Sequence, residues 1–198
     1  MKSAGSSRNI WLPVLLAAAA LLYRVVKLKF GMASNLPNFS PWMALAFAGT
    51  LLAPRAVAWW VWPALLMGCD VLISTGEMAE MWLVYACYGI AALAGGWLRK
   101  NSSLLLAFGG TAASSLVFYV VTNTQAWFMS PEYARSLSGW IQALTVGNPA
   151  WPQTWIFGLS SLASDLAFTL LLVIAYNGEA LARRVAMLPV MHERLAAS

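Results

Sequence analysis

Apolar runs of membrane length dominate this sequence of 198 residues. The run at residues 56–75 has 20 residues. At about 1.5 Å per residue it can span the roughly 30 Å of hydrocarbon in a bilayer. The whole chain is 61% hydrophobic and only 10% charged, whereas ordinary soluble domains are about 25% charged. We therefore predict an all-α integral membrane protein.

Six apolar runs follow one another along the chain, which we treat as a single transmembrane domain over residues 1–198. They fall at residues 10–28, 41–53, 56–75, 80–98, 103–121 and 155–176. The second run is short enough to be a re-entrant or buried segment instead of a full span. We expect six transmembrane helices with long outer connections at residues 29–40, 75–79 and 122–154. A short interfacial helix is predicted at residues 132–144, after Pro131.

The basic residues predict the orientation of this bundle, because six crossings place both termini on one side. That side carries eight of them: Lys2, Arg8, Arg55, Arg99, Lys100, Arg183, Arg184 and Arg194. The other side carries four: Arg24, Lys27, Lys29 and Arg135. Positively charged loops stay in the cytoplasm, so we expect cytoplasmic N and C termini and a location in the cytoplasmic membrane. Since the charges are spread along loop ends and form no patch, we predict no nucleic-acid partner.

Few reactive side chains lie at membrane depth, namely Cys69, Asp70, Cys87 and Asp165. An ionisable group at such a depth is costly and is a functional hypothesis by default. The alternative is that the cysteines pack as small hydrophobic residues and that Asp70 faces water at a helix end. Cys69 and Cys87 have similar predicted depths, so they are candidate neighbours. For Asp165, near the middle of the last run, a structural role and a functional role stay equally open.

Sequence patterns of common enzyme and metal sites are absent. The chain has no phosphate-binding glycine loop and no HExxH motif, and its two cysteines form no CxxC pair. The single histidine, His192, lies in the predicted cytoplasmic tail, which excludes an outward-facing histidine ligand. The remaining features that could bind a ligand are a soft thiolate, which suits a transition metal, and apolar walls, which suit a planar organic ligand.

Three segments resemble the substrate-binding S components of energy-coupling-factor (ECF) vitamin transporters. They are NLPNFSPWMALAF at residues 35–47, VTNTQAWFMSPEYARSLSGW at 121–140 and SSLASDLAF at 160–168. More narrowly, they are similar to the small BtuM-type cobalamin transporters. The resemblance implies a six-helix fold that takes up cobalamin from the outer side, with a cysteine as axial cobalt ligand at the position of Cys69. Such a thiolate would labilise the group opposite it, so uptake of cyanocobalamin would include removal of cyanide.

This hypothesis assigns cobalt ligation and the ligand exchange to Cys69. The other candidate ligand-binding residues are Asp70, Cys87, Tyr85, Asn38, Asn123, Trp127, Tyr133 and Trp140, with residues 122–154 closing over the vitamin. S components that dock on a shared ECF module usually carry AxxxA spacing in the first helix, whereas here Ala17 is followed four positions later by Leu21. Uptake without that module is therefore favoured. Two alternatives are an S component for another vitamin, such as a flavin or thiamine, and a membrane assembly subunit whose cysteines and aspartates only pack helices.

Overall fold

The computed structural model of the protein describes residues 10–29, 40–73 and 81–191. Over these ranges the chain is all-α, as predicted, with seven α-helices. They are α1 (Leu12–Lys29), α2 (Thr50–Leu52), α3 (Val61–Ile73), α4 (Trp82–Leu98), α5 (Leu104–Met129), α6 (Leu137–Leu144) and α7 (Thr154–Ala182). A π-helix, Ala44–Gly49, leads directly into α2, and a 3₁₀ turn, Arg99–Asn101, follows α4.

Two of these helices, α5 and α7, are long and apolar enough to cross a membrane. They have 26 and 29 residues, and only 17% and 28% of their most apolar stretches are buried inside the protein. The core helix of a soluble protein would bury most of such a stretch. The described parts of the other helices are shorter, with 18 residues in α1, 13 in α3 and 17 in α4.

The second apolar run forms the buried centre of the fold. We call residues 42–52 the central helix, which contains the π-helix and α2. Every residue from 41 to 54 is buried, and the helix contacts α1, α3, α4, α5 and α7. A helix that is apolar on all sides belongs inside a protein. Two glycines allow the close packing around it, because a Cβ atom on Gly95 or Gly110 would overlap Phe47.

Arg99 holds the C-terminal end of the central helix. Its Nε donates to the carbonyl oxygen of Thr50 at 2.9 Å, and its Nη atoms donate to those of Pro54 and Val57 at 3.1 Å. The last carbonyls of a helix have no partner within it, and a cation there also complements the helix dipole. Burial, followed by the nearby charge of Arg55, lowers the pKa of Arg99. A guanidinium nevertheless stays charged at neutral pH.

Two other helix ends are capped at this same end of the bundle. A carboxylate oxygen of Glu179 accepts from the backbone N–H groups of Trp11 at 2.7 Å and Leu12 at 2.5 Å. The first N–H groups of α5 donate to carbonyl oxygens of the segment after α7, from Leu104 to Pro189 at 2.9 Å and from Leu105 to Val190 at 3.1 Å. The start of α1, the start of α5 and the end of α7 therefore lie together.

The connection predicted at residues 122–154 is largely helical. Its first eight residues extend α5 to Met129, and residues 137–144 form α6. The extension tolerates polar residues because their side chains bond back to the helix: Thr122 Oγ1 donates to the Phe118 carbonyl and Asn123 Nδ2 to the Tyr119 carbonyl, both at 2.8 Å. The short helix predicted after Pro131 begins later, since Ser136 caps it by accepting from the Gly139 N–H at 3.2 Å.

Replacing Arg99 by methionine should destabilise the protein by about 3 kcal/mol, since it leaves carbonyl groups at the end of the central helix without their donor. Thermal unfolding in detergent measures the change. The matched control is Arg55→Met, because Arg55 is exposed in the neighbouring turn and its loss should change stability by less than about 0.5 kcal/mol. Equal effects of the two substitutions would contradict the capping role of Arg99.

Candidate functional site

A cavity of about 310 Å³ lies at the N-terminal end of the central helix. The first residues of the central helix, the middle of α5 and the first half of α7 form its walls, and the connections on either side of α6 add Tyr133, Asn148 and Trp151. It is thus at the end of the bundle opposite Arg99. The cavity is near the lower limit of the range of about 300–1,000 Å³ that small-molecule sites occupy.

Asp165 lies at the cavity and also holds the central helix. Its Oδ1 accepts from the backbone N–H of Ala44 at 3.0 Å, and its Oδ2 accepts from the Ser115 hydroxyl at 2.5 Å. The side chain is only 3% exposed. Because the first N–H groups of a helix lack internal partners and carry partial positive charge, a carboxylate is a favourable cap there. Asp165 therefore links α7, α5 and the central helix at one point.

Aromatic rings make up much of the wall. Seven of the lining residues are aromatic: Trp42, Tyr88, Phe118, Tyr119, Tyr133, Trp151 and Phe157. Tyr88 of α4 and Phe118 of α5 stack with their ring centroids 5.4 Å apart and an angle of 14° between the planes. Stacked aromatic pairs stabilise a fold by more than the burial of their apolar surface alone, so this pair stabilises the packing of α4 against α5 at the cavity.

The polar residues of the wall repeat at helical spacing on two helices. On α5 they are Ser115, Tyr119, Thr122 and Asn123, and on α7 they are Thr154, Ser161 and Asp165. Residues three, four, seven and eight positions apart share one face of a helix. The two long helices thus present polar faces to each other, and the cavity lies between them.

Residues 5–188 match the model of a family described as a family of unknown function, DUF6580. The chain belongs to this family. No curated protein and no solved structure matches it.

Two of the ligand-binding residues predicted from the sequence, Asn123 and Tyr133, line the cavity. The indole nitrogens of two others tie α6 and the preceding turn to α5: Trp127 Nε1 donates to the Ala134 carbonyl at 2.8 Å, and Trp140 Nε1 to Thr124 Oγ1 at 2.9 Å. Neither of these two tryptophans is among the residues that line the cavity. Asn38 lies outside the described residues.

The predicted metal site lies between α3 and α4. The Tyr85 hydroxyl donates to Asp70 Oδ2 at 3.1 Å, and Cys69 and Cys87 are half-buried against the hydrophobic core. These four residues are not among those that line the cavity. Within residues 10–29, 40–73 and 81–191, no group of three or more His, Cys, Asp or Glu side chains is arranged to hold a metal ion.

Sequence reasoning missed several residues of the wall, including Ser115, Tyr119, Asn148, Trp151 and Ser161. For those on α5 and α7 a signal was available in the helical spacing of polar residues within apolar runs. Asn148 and Trp151 carry no such signal, because the path of the chain between α6 and α7 brings them to the cavity. Asn148 is fixed there by a hydrogen bond from its Nδ2 to Glu132 and another from the Ala150 N–H to its Oδ1 at 2.8 Å.

Two buried serines allow a matched test of the Asp165 network. Ser115→Ala removes a hydrogen bond to a carboxylate, so we expect a loss of about 2 kcal/mol in the free energy of unfolding. Ser164 is also buried, but its hydroxyl makes no hydrogen bond in the described part of the chain. Ser164→Ala should therefore be neutral or slightly stabilising. Denaturant unfolding of both variants measures the two changes. If Ser164→Ala destabilises the protein more than Ser115→Ala does, the proposed contribution of the Ser115–Asp165 hydrogen bond is wrong.

Proposed function

We propose that this protein is a multi-pass membrane protein that takes up a small organic molecule, as the resemblance to S components implies, and binds it in the cavity beside Asp165. The observation that carries the proposal is the cavity itself. It joins aromatic walls to a few fixed polar groups, and this is the usual composition of a small-molecule site.

Exposed apolar side chains support the membrane location. Besides α5 and α7, large apolar residues of other elements face outward, such as Ile90 at 68% and Trp97 at 82% exposure. A soluble monomer rarely exposes apolar surface on this scale. Lipid contact on all sides of the bundle accounts for it and agrees with six membrane-crossing segments, in which the central helix is the short, buried one.

The basic residues of the short turns and of the end of α7 support an outward-facing cavity. Five described basic residues lie in turns or at helix ends away from the cavity: Arg55, Arg99, Lys100, Arg183 and Arg184. On the cavity side, Arg135 lies in the connection beside the cavity, and Arg24, Lys27 and Lys29 lie in the second half of α1. The positive-inside rule then places the first group in the cytoplasm.

The orientation can be tested with a protease-cleavable tag added after Ser198. In intact spheroplasts this tag should be resistant to protease added from outside. Cleavage by external protease would show that the C terminus faces outward and would contradict the uptake model.

The size of the cavity favours a ligand smaller than a corrinoid. A cavity of about 310 Å³ suits a compact molecule of the size of a simple ring vitamin, whereas a corrinoid with its nucleotide tail exceeds the drug-sized ligands that fill much larger sites. Two alternatives to a corrinoid transporter were an S component for another vitamin and a membrane assembly subunit. The role of an assembly subunit does not require a cavity with a carboxylate beside it. The proposal is therefore uptake of a small vitamin-like molecule.

A cavity-filling substitution tests this function. Ser161 lines the cavity, so Ser161→Phe should exclude the ligand, whereas Ala163→Phe places the same ring on the exposed face of α7 and should not. Mass spectrometry of small molecules that copurify with each protein is the measurement. We expect a compound enriched with the wild type and Ala163→Phe and absent from Ser161→Phe. If no compound follows this pattern in protein from cells grown in rich medium, the proposed site is wrong.

The corrinoid hypothesis makes a separate prediction. If the Cys69 thiolate bonds cobalt, cyanocobalamin added to the wild type or to Cys87→Ala will show shifted corrin absorption bands, and Cys69→Ala will not. Because Cys69 is not among the residues of the cavity, we expect unshifted bands in all three proteins. A shift that only Cys69→Ala abolishes would contradict our choice of ligand and identify the protein as a corrinoid binder.

A further inference from the structure

The ionisable side chains that line the cavity or bond to its lining residues are acidic. Asp165 is the one acidic or basic residue among the described residues of the lining. A second carboxylate is next to the lining, because Glu132 accepts a hydrogen bond from the lining residue Asn148. The nearby Arg135 is directed elsewhere: it donates to the Trp127 carbonyl, and its guanidinium carbon lies 5.7 Å from the centre of the Phe128 ring.

Three hydroxyl groups of the wall donate their protons to acceptors of the protein. Ser115 donates to Asp165, Tyr119 to the Leu144 carbonyl, and Thr122 to the Phe118 carbonyl. A hydroxyl has one proton to donate and two lone pairs that accept. Toward a ligand, these three groups can therefore act only as acceptors. A ligand that is itself rich in acceptors would obtain no donor from these three hydroxyl groups.

The side-chain amide of Asn123 also offers an acceptor. One of its two Nδ2 protons is donated to the Tyr119 carbonyl of its own helix at 2.8 Å, and its Oδ1 is an acceptor. A carboxylate or phosphate in this cavity would face Asp165 with no basic residue of the described lining to neutralise it. Such a like-charge arrangement selects against anionic ligands.

The aromatic walls supply the complementary attraction. The face of an aromatic ring carries negative charge, and a cation near several such faces is bound electrostatically, more strongly where water is excluded. Seven aromatic residues line this cavity. Rings, acceptor groups and carboxylates thus all favour positive charge in the same small volume.

From this combination we propose that the ligand is a small organic cation, with a ring nitrogen or an alkylated nitrogen that carries the charge among the aromatic side chains. The inference rests on the proposed function, because it takes the cavity to be the binding site. Within that function it narrows the substrate class from vitamin-like molecules in general to cationic ones.

Three probes of similar shape test the charge: benzyltrimethylammonium, benzyl alcohol and benzoate. Each is titrated into the purified full-length protein in detergent, and the shift in thermal unfolding temperature gives its affinity. We expect benzyltrimethylammonium to bind at least about tenfold more tightly than benzyl alcohol, from several aromatic contacts at about fivefold or less each, and benzoate not to bind. Equal affinities, preference for benzoate, or no binding of any probe would overturn the assignment.

Three variants separate this claim from the proposed site. Tyr133→Phe keeps the ring and should keep the affinity for the cation, whereas Tyr133→Leu should weaken it about fivefold; equal affinities in these two variants would count against contact of the cation with this ring. Ser161→Phe should abolish binding. If Ser161→Phe abolishes benzoate binding instead, the cavity is the site and the cationic assignment is wrong. If the cation binds Ser161→Phe as it binds the wild type, the site itself is wrong.

Discussion

The hydrogen bond from the Ala44 N–H to the Asp165 carboxylate is the contact on which the rest of this structure depends. The central helix is short, apolar on every side and buried along its whole length. Its first N–H groups must find acceptors from elsewhere in the chain. Asp165 supplies one, and Arg99 supplies donors for the carbonyl groups at the other end. A carboxylate at the start and a guanidinium at the end also match the direction of the helix dipole.

This arrangement explains why a charged residue can sit near the middle of an apolar helix. A buried carboxylate is costly unless it is hydrogen-bonded, and Asp165 obtains its bonds from Ala44 and Ser115. The same residue lies beside the cavity, so the structural and functional roles left open by the sequence are compatible. A ligand that approaches Asp165 would act on the cap of the central helix, and this gives binding a direct route to the packing of the whole bundle.

Much of the fold could be predicted from the sequence, because hydrophobic runs are a strong signal of buried or membrane-facing helices. The short second run was predicted as one of six transmembrane helices, with a re-entrant or buried segment as the alternative, and it forms the buried central helix. The extension of α5 was missed because Thr122 and Asn123 read as loop residues, while in the structure they bond to carbonyl groups of their own helix. Depth along a run can be estimated from the sequence, but the direction in which a side chain points cannot. Cys69 and Asp70 were therefore favoured over Ser161 and Tyr119, although only the latter two line the cavity.

Hydrogen exchange measured by mass spectrometry tests the central claim most directly. In the wild type the amides of residues 43–52 should be among the slowest to exchange, because both ends of the central helix are held. In Asp165→Ala the amides of residues 43–47 should exchange faster, with a smaller change at residues 50–53, next to Arg99. Exchange in the wild-type central helix as fast as in the exposed turn at residues 130–136, or no acceleration in Asp165→Ala, would contradict the account.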